Sequence, residues 1–140
     1  MNKTVQPVSH QEALIYTMVT LSAADRSMTD GELQKIGDIV RTLPIFRDFD
    51  INQLVPVAEA CGTLLQEDDG LDTVLKVIST SLPQRLYDTA YAVAVEVAAV
   101  DLHVEQEELR FLQILRDALN LDPLTVAAIE RGARARYRTP

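Results

Sequence analysis

Two short acidic turns hold the residues best suited to chemistry. The first reads Ala24-Asp25-Arg26-Ser27-Met28-Thr29-Asp30-Gly31-Glu32-Leu33. The second reads Val100-Asp101-Leu102-His103-Val104-Glu105-Gln106-Glu107-Glu108-Leu109. Each sets an Asp at the end of an apolar stretch and a Glu seven residues later. The Glu has a local explanation, because the third position of a helix favours Glu in a capping box, for about 1 kcal/mol. The Asp does not. A carboxylate at the C-terminal end of a helix faces the negative pole of the helix dipole and costs about 0.3–1 kcal/mol. Two such placements call for a nearby positive group, either a side chain or a cation. A hard divalent ion takes several oxygen ligands, and helix ends also offer free carbonyls. Asp25, Glu32, Asp101 and Glu108 would supply four carboxylates if the turns meet, for Ca²⁺, Mg²⁺, Mn²⁺ or Zn²⁺. Glu96 is a candidate fifth ligand, since it stands alone in the apolar run Ala90 to Val100. The competing reading has the Asp residues paired with arginines or capping local amides, and the Glu residues acting only as caps. The turns lack the ligand spacing and 12-residue loop of an EF-hand. His103, Glu105 and Glu107 read as solvated turn and helix-start residues.

The elements that position these turns are helical. Ser9 to Glu12 and Thr29 to Glu32 are capping boxes, opening helices that run to about Ala24 and to Leu43 before Pro44. Asp50 caps a third helix through Cys61 to Leu65, and Asp68-Asp69-Gly70 marks a turn. A short fourth helix covers 71–80. Pro83 suits the first turn of a fifth helix running to Val100, whose Val content also permits a strand; its length and Ala content favour helix. A sixth covers 105–119. Asp122-Pro123 opens a seventh that ends near Tyr137. The expectation is an all-α single domain of about seven helices over residues 1–140.

The two halves also match at an offset of 76 residues, aligning Asp25 with Asp101, Glu32 with Glu108 and Leu33 with Leu109. The repeat spans roughly 9–49 and 83–121. Each half is an apolar helix, an acidic turn and an amphipathic helix, so two pseudo-symmetric hairpins packed face to face are expected.

Composition removes several function classes. The 140 residues carry a net charge of −8. Residues 129–140 set four arginines against Glu130, so the first 128 residues hold −11. Such an acidic surface is a poor partner for a phosphate backbone, and no nucleic acid is expected. Five glycines and 5% aromatics leave little for a phosphate cradle or a stacking platform. Cys61 is the only cysteine, so no internal disulfide forms, and its apolar helical setting reads as buried. No HExxH, ExxH or GxSxG occurs, and two histidines give little scope for a nucleophile–base pair; no enzyme is expected. The N-terminus has no signal-peptide core, and no segment is long enough to span a membrane. A cytoplasmic protein is the expectation.

An Asp closing an Ala-rich helix, then an apolar residue, a cap and a Glu before Leu, resembles the TerB-like family, whose usual form is Ala-Asp-Gly-x-Val/Ile-x-x-x-Glu. The matching residues are Ala24-Asp25, Met28 and Glu32, then Asp101, Val104 and Glu108. The similarity runs from about Glu12 to Ile129. The family is similar to tellurite-resistance proteins and to the N-terminal domain of a DnaJ-like membrane co-chaperone. The resemblance implies an all-helical, non-enzymatic domain whose clustered acids bind a divalent metal. It also implies a stress-response role with protein partners, in complexes at the periphery of the inner membrane. Arg26 and Leu102 replace the family glycines, and Arg26 is itself a cation that Asp25 could use. The alternative is a metal-free interaction module. Its basic last helix, with Arg131, Arg134, Arg136 and Arg138, would contact an acidic partner or an anionic membrane surface. A homo-oligomer is also a candidate assembly.

Overall fold

The computed structural model describes residues 5–24, 28–100 and 106–140, with only the backbone of Val100. The described residues are all-helical, in seven α-helices. These are α1 (His10–Ser22), α2 (Asp30–Thr42), α3 (Leu54–Leu65), α4 (Gly70–Ser81), α5 (Tyr87–Val100), α6 (Gln106–Ala118) and α7 (Pro123–Arg136).

Helix α1 is buried at every position from Ala13 to Ser22. No charged residue follows Glu12 in it, which is the signature of a helix enclosed by others. Thr17 and Thr20 enter this interior because their hydroxyls donate to the carbonyls of Ala13 (2.9 Å) and Tyr16 (2.7 Å). Around α1 pack α5, α3 and α4, with α2 and α6 further along. Helix α5 is the second interior element. It buries Ala90, Tyr91, Val93, Ala94, Val95, Val97 and Ala98, and α7 covers its outer side. The small Ala and Val side chains let neighbouring helices approach closely.

The capping boxes at Ser9/Glu12 and Thr29/Glu32 both form, with all their hydrogen bonds present. Asp122 caps α7 by accepting from the amides of Leu124 and Thr125, and Pro123 occupies its first position. Two predicted starts differ in detail. Asp50 caps a 3₁₀ turn, Ile51–Gln53, that leads into α3. Pro83 precedes another, Gln84–Leu86, that leads into α5. In each case the tighter turn lets the chain change direction before the longer helix begins.

The α3–α4 connection divides its work between two residues. Asp69 takes the left-handed backbone, at φ 58°, while Gly70 starts α4 and is buried. A Cβ on Gly70 would lie 2.5 Å from the carbonyl oxygens of both Leu64 and Leu65. Glycine is therefore required for close approach of two backbones, rather than for positive φ.

The aligned pair Leu33 and Leu109 is not equivalent in the two halves. Leu33 packs against the core, whereas Leu109 is 54% exposed.

Candidate functional site

Of the five candidate ligands, Asp25 and Asp101 lie outside the described residues, as do Arg26, His103 and Glu105. The structure places the other three. Glu32 is the third residue of α2, where Oε1 accepts from the amide and the hydroxyl of Thr29 (3.0 and 2.9 Å). Glu108 is the third residue of α6 and only 5% exposed. A carboxylate that deep loses most of its hydration, so its surroundings must offset the charge. Among the described residues, no three His, Cys, Asp or Glu side chains group together to hold a metal ion.

Glu96 serves a different purpose. Its Oε1 accepts from the hydroxyl of Tyr137 at 2.8 Å. Its Oε2 accepts from the Arg136 guanidinium. Lys35, on α2, donates to the same Tyr137 hydroxyl at 3.0 Å, and its ammonium lies 5.3 Å from the ring centre. A carboxylate inside an apolar run is tolerable because α7 brings it a cation and a phenol. This chain of Glu96, Tyr137 and Lys35 ties α5, α7 and α2 together. Sequence reasoning missed it, although a signal existed: the lone charge of residues 90–100 and an Arg-Tyr pair in the tail. A second tie lies further along α7. The Tyr91 hydroxyl donates to Glu130 at 2.6 Å, with Arg116 3.8 Å from the same carboxylate. Burial, reinforced by Glu130, pushes the Tyr91 phenol well above its ordinary value, so it stays a donor at any physiological pH. We expect Tyr137→Phe to lower stability by about 1–2 kcal/mol, because it removes bonds to one anion and one cation. Urea denaturation checks this; a change below roughly 0.5 kcal/mol would mean the network adds nothing to stability.

Cys61 is fully buried, 3.5 Å from the Thr20 hydroxyl and 3.7 Å from the Tyr16 carbonyl. Burial raises its thiol to about 11, and the Thr20 hydrogen bond only partly counters this. It is an inert core residue, as its apolar setting implied.

A groove of about 710 Å³ opens beside α1, between α3 and α6. Val19, Ala23, Ala58, Leu65 and Phe111 form part of its lining, and Val55 on its rim is 50% exposed. Glu59, Glu107 and Arg110 bring charge to its edge. The residues of this groove are spread over five helices, so no local motif marks it.

No described helix is long and apolar enough to cross a membrane. No curated protein and no solved structure matches the chain. The family model described as "Tellurite resistance protein TerB" matches residues 11–132. That stretch starts in α1 and ends in α7, taking in both acidic helix starts at Glu32 and Glu108. The chain therefore belongs to the TerB family and is a domain of the tellurite-resistance type.

Proposed function

We propose that this chain is a non-enzymatic stress-response domain, a divalent metal-binding or scaffold protein, with Asp25, Glu32, Asp101 and Glu108 as its acidic cluster. The observation that carries the reading is the shared placement of Glu32 and Glu108. Both are the third residue of a helix that follows one of the two interior helices, and Glu108 is buried. Family membership supports it. Glu96, the fifth candidate ligand, is held by Arg136 and Tyr137. A non-catalytic role is supported by the setting of Cys61, whose thiol is buried and held protonated.

Melting in the presence of Ca²⁺, Mg²⁺, Mn²⁺ or Zn²⁺ tests the proposal. An ion that binds only the folded state stabilises by about 2.7 kcal/mol at a hundred times its Kd. For a chain of this size that raises Tm by roughly 10 °C. The double variant Asp25→Asn with Asp101→Asn is expected to lose the shift. A midpoint that no ion moves, or a double variant that responds like wild type, overturns the metal reading.

A second reading, a contact surface on α7, is favoured by one specific observation. Arg131, Arg134 and Arg138 are exposed, while Arg136 is used internally by Glu96. Exposed guanidinium groups on α7 and just after it suit an acidic partner or an anionic lipid surface.

A further inference from the structure

The apolar groove and the outer face of α7 are complementary surfaces on one chain. Helix α7 packs on α5 with Val126 and Ala133 turned inward. Leu124, Ala127, Ala128, Arg131 and Arg134 are exposed. At 3.6 residues per turn those positions fall on one stripe, apolar at its start and basic at its end. Leu124 is 83% exposed, the most exposed large apolar side chain among the described residues.

The groove carries the opposite pattern. Its floor is apolar, and among the described residues Glu59 and Glu107 stand exposed at its edge with Arg110 beside them. Just beyond its lining residues Gln66 and Leu71 come the exposed acids Glu67, Asp68, Asp69 and Asp72. An amphipathic helix with an apolar start and arginines behind it fits such a groove by burial and by charge. No residue of α7 lines it. Among the described residues, α7 therefore leaves the groove unfilled, and its own outer face is exposed.

We propose that the groove receives the outer face of α7 from a second copy of this chain, giving a head-to-tail contact. The proposal rests on the reading of α7 as a contact surface and names its acidic partner. Because groove and helix are different surfaces, the contact is heterologous, and it propagates to further copies unless one end is blocked.

Sedimentation velocity on the full chain tests this over roughly 10 µM to 1 mM, the range of transient contacts. The sedimentation coefficient of wild type is expected to rise with concentration. Val55→Glu, at the groove rim, and Leu124→Glu, on α7, are each expected to stay monomeric. Both sites are exposed, so unchanged thermal melting confirms that the variants fold. An equimolar mixture of the two is expected to form a 1:1 dimer and nothing longer. One variant keeps a working α7 and the other keeps a working groove. A wild type that stays monomeric, a mixture that stays monomeric, or a dimer that survives both variants overturns the proposal. Co-sedimentation with phosphatidylserine vesicles separates this failure from that of the underlying reading. Suppose wild type is monomeric, yet Arg131→Glu with Arg134→Glu releases it from the vesicles. The second copy is then excluded and the basic helix keeps its role as a contact surface.

Discussion

Leu14→Ala is expected to lower stability by about 3–5 kcal/mol, which is among the largest effects any single truncation can have in this chain. Leu14 is completely buried near the start of α1, and its neighbours Ala13, Ile15 and Met18 are also completely buried. It sits on a helix that packs against α3, α4 and α5 and has no solvent side along Ala13–Ser22. Removing three carbons there costs the transfer energy of those atoms. It also leaves a cavity, because α1 is held on all sides and cannot shift to fill it. Total stability for a domain of this size is about 5–15 kcal/mol, so the variant loses a large part of it. Urea denaturation should show a lower midpoint with an unchanged slope. A loss under roughly 1 kcal/mol would show that α1 is not enclosed as described. A truncation on the outer face of α7, such as Leu124→Ala, should stay within about 0.5 kcal/mol, because that side chain is already in water.

Gly70→Ala is expected to cost about 3 kcal/mol, the opposite sign to the stabilisation of about 0.4–1 kcal/mol that the reduced flexibility of the unfolded chain would bring. The new Cβ would meet the carbonyl oxygens of Leu64 and Leu65 at 2.5 Å and the Leu65 carbonyl carbon at 2.7 Å. These are backbone atoms at the end of α3, so no side-chain rotation relieves the clash. Either the α3–α4 turn opens or α4 moves off α1 and α3. Gly62 is the internal control. It lies inside α3, and nothing stands within 4 Å of where its Cβ would be. Gly62→Ala should therefore stabilise, by about 0.5–1 kcal/mol, through higher helix propensity. The pair predicts opposite signs for the same chemical change. Thermal melting of both variants checks it, and a neutral Gly70→Ala would show that the two helices are not in backbone contact.

Much of the fold was legible because its signals are local. Ser9 with Glu12, Thr29 with Glu32 and Asp122 with Pro123 each satisfy orphan amides within one turn of chain. Nothing distant can change that chemistry, so these three helix starts appear where the sequence places them. The buried character of α1 was equally readable, since a run without charge has no face to give to water. The acidic turns were readable as an electrostatic oddity, and Glu108 turned out to be buried. Glu96 shows where local reasoning stops. Its isolation in an apolar helix announced that it needs a partner, and the sequence offered it as a fifth ligand for a cation. The structure supplies Arg136 and Tyr137, 40 and 41 residues away.

The sequence by itself determined the helices, their caps, the interior helix and the places where charge required an explanation. Each follows from hydrogen bonding and periodicity over a few residues, which the chain carries with it into any fold. Only the tertiary structure decided which charge meets which, why Gly70 must lack a side chain, and that an acidic-rimmed groove lies apart from α7. Those outcomes depend on distances between segments remote in sequence. They are set by how helices of given length and side-chain volume pack together, and no single segment encodes that packing.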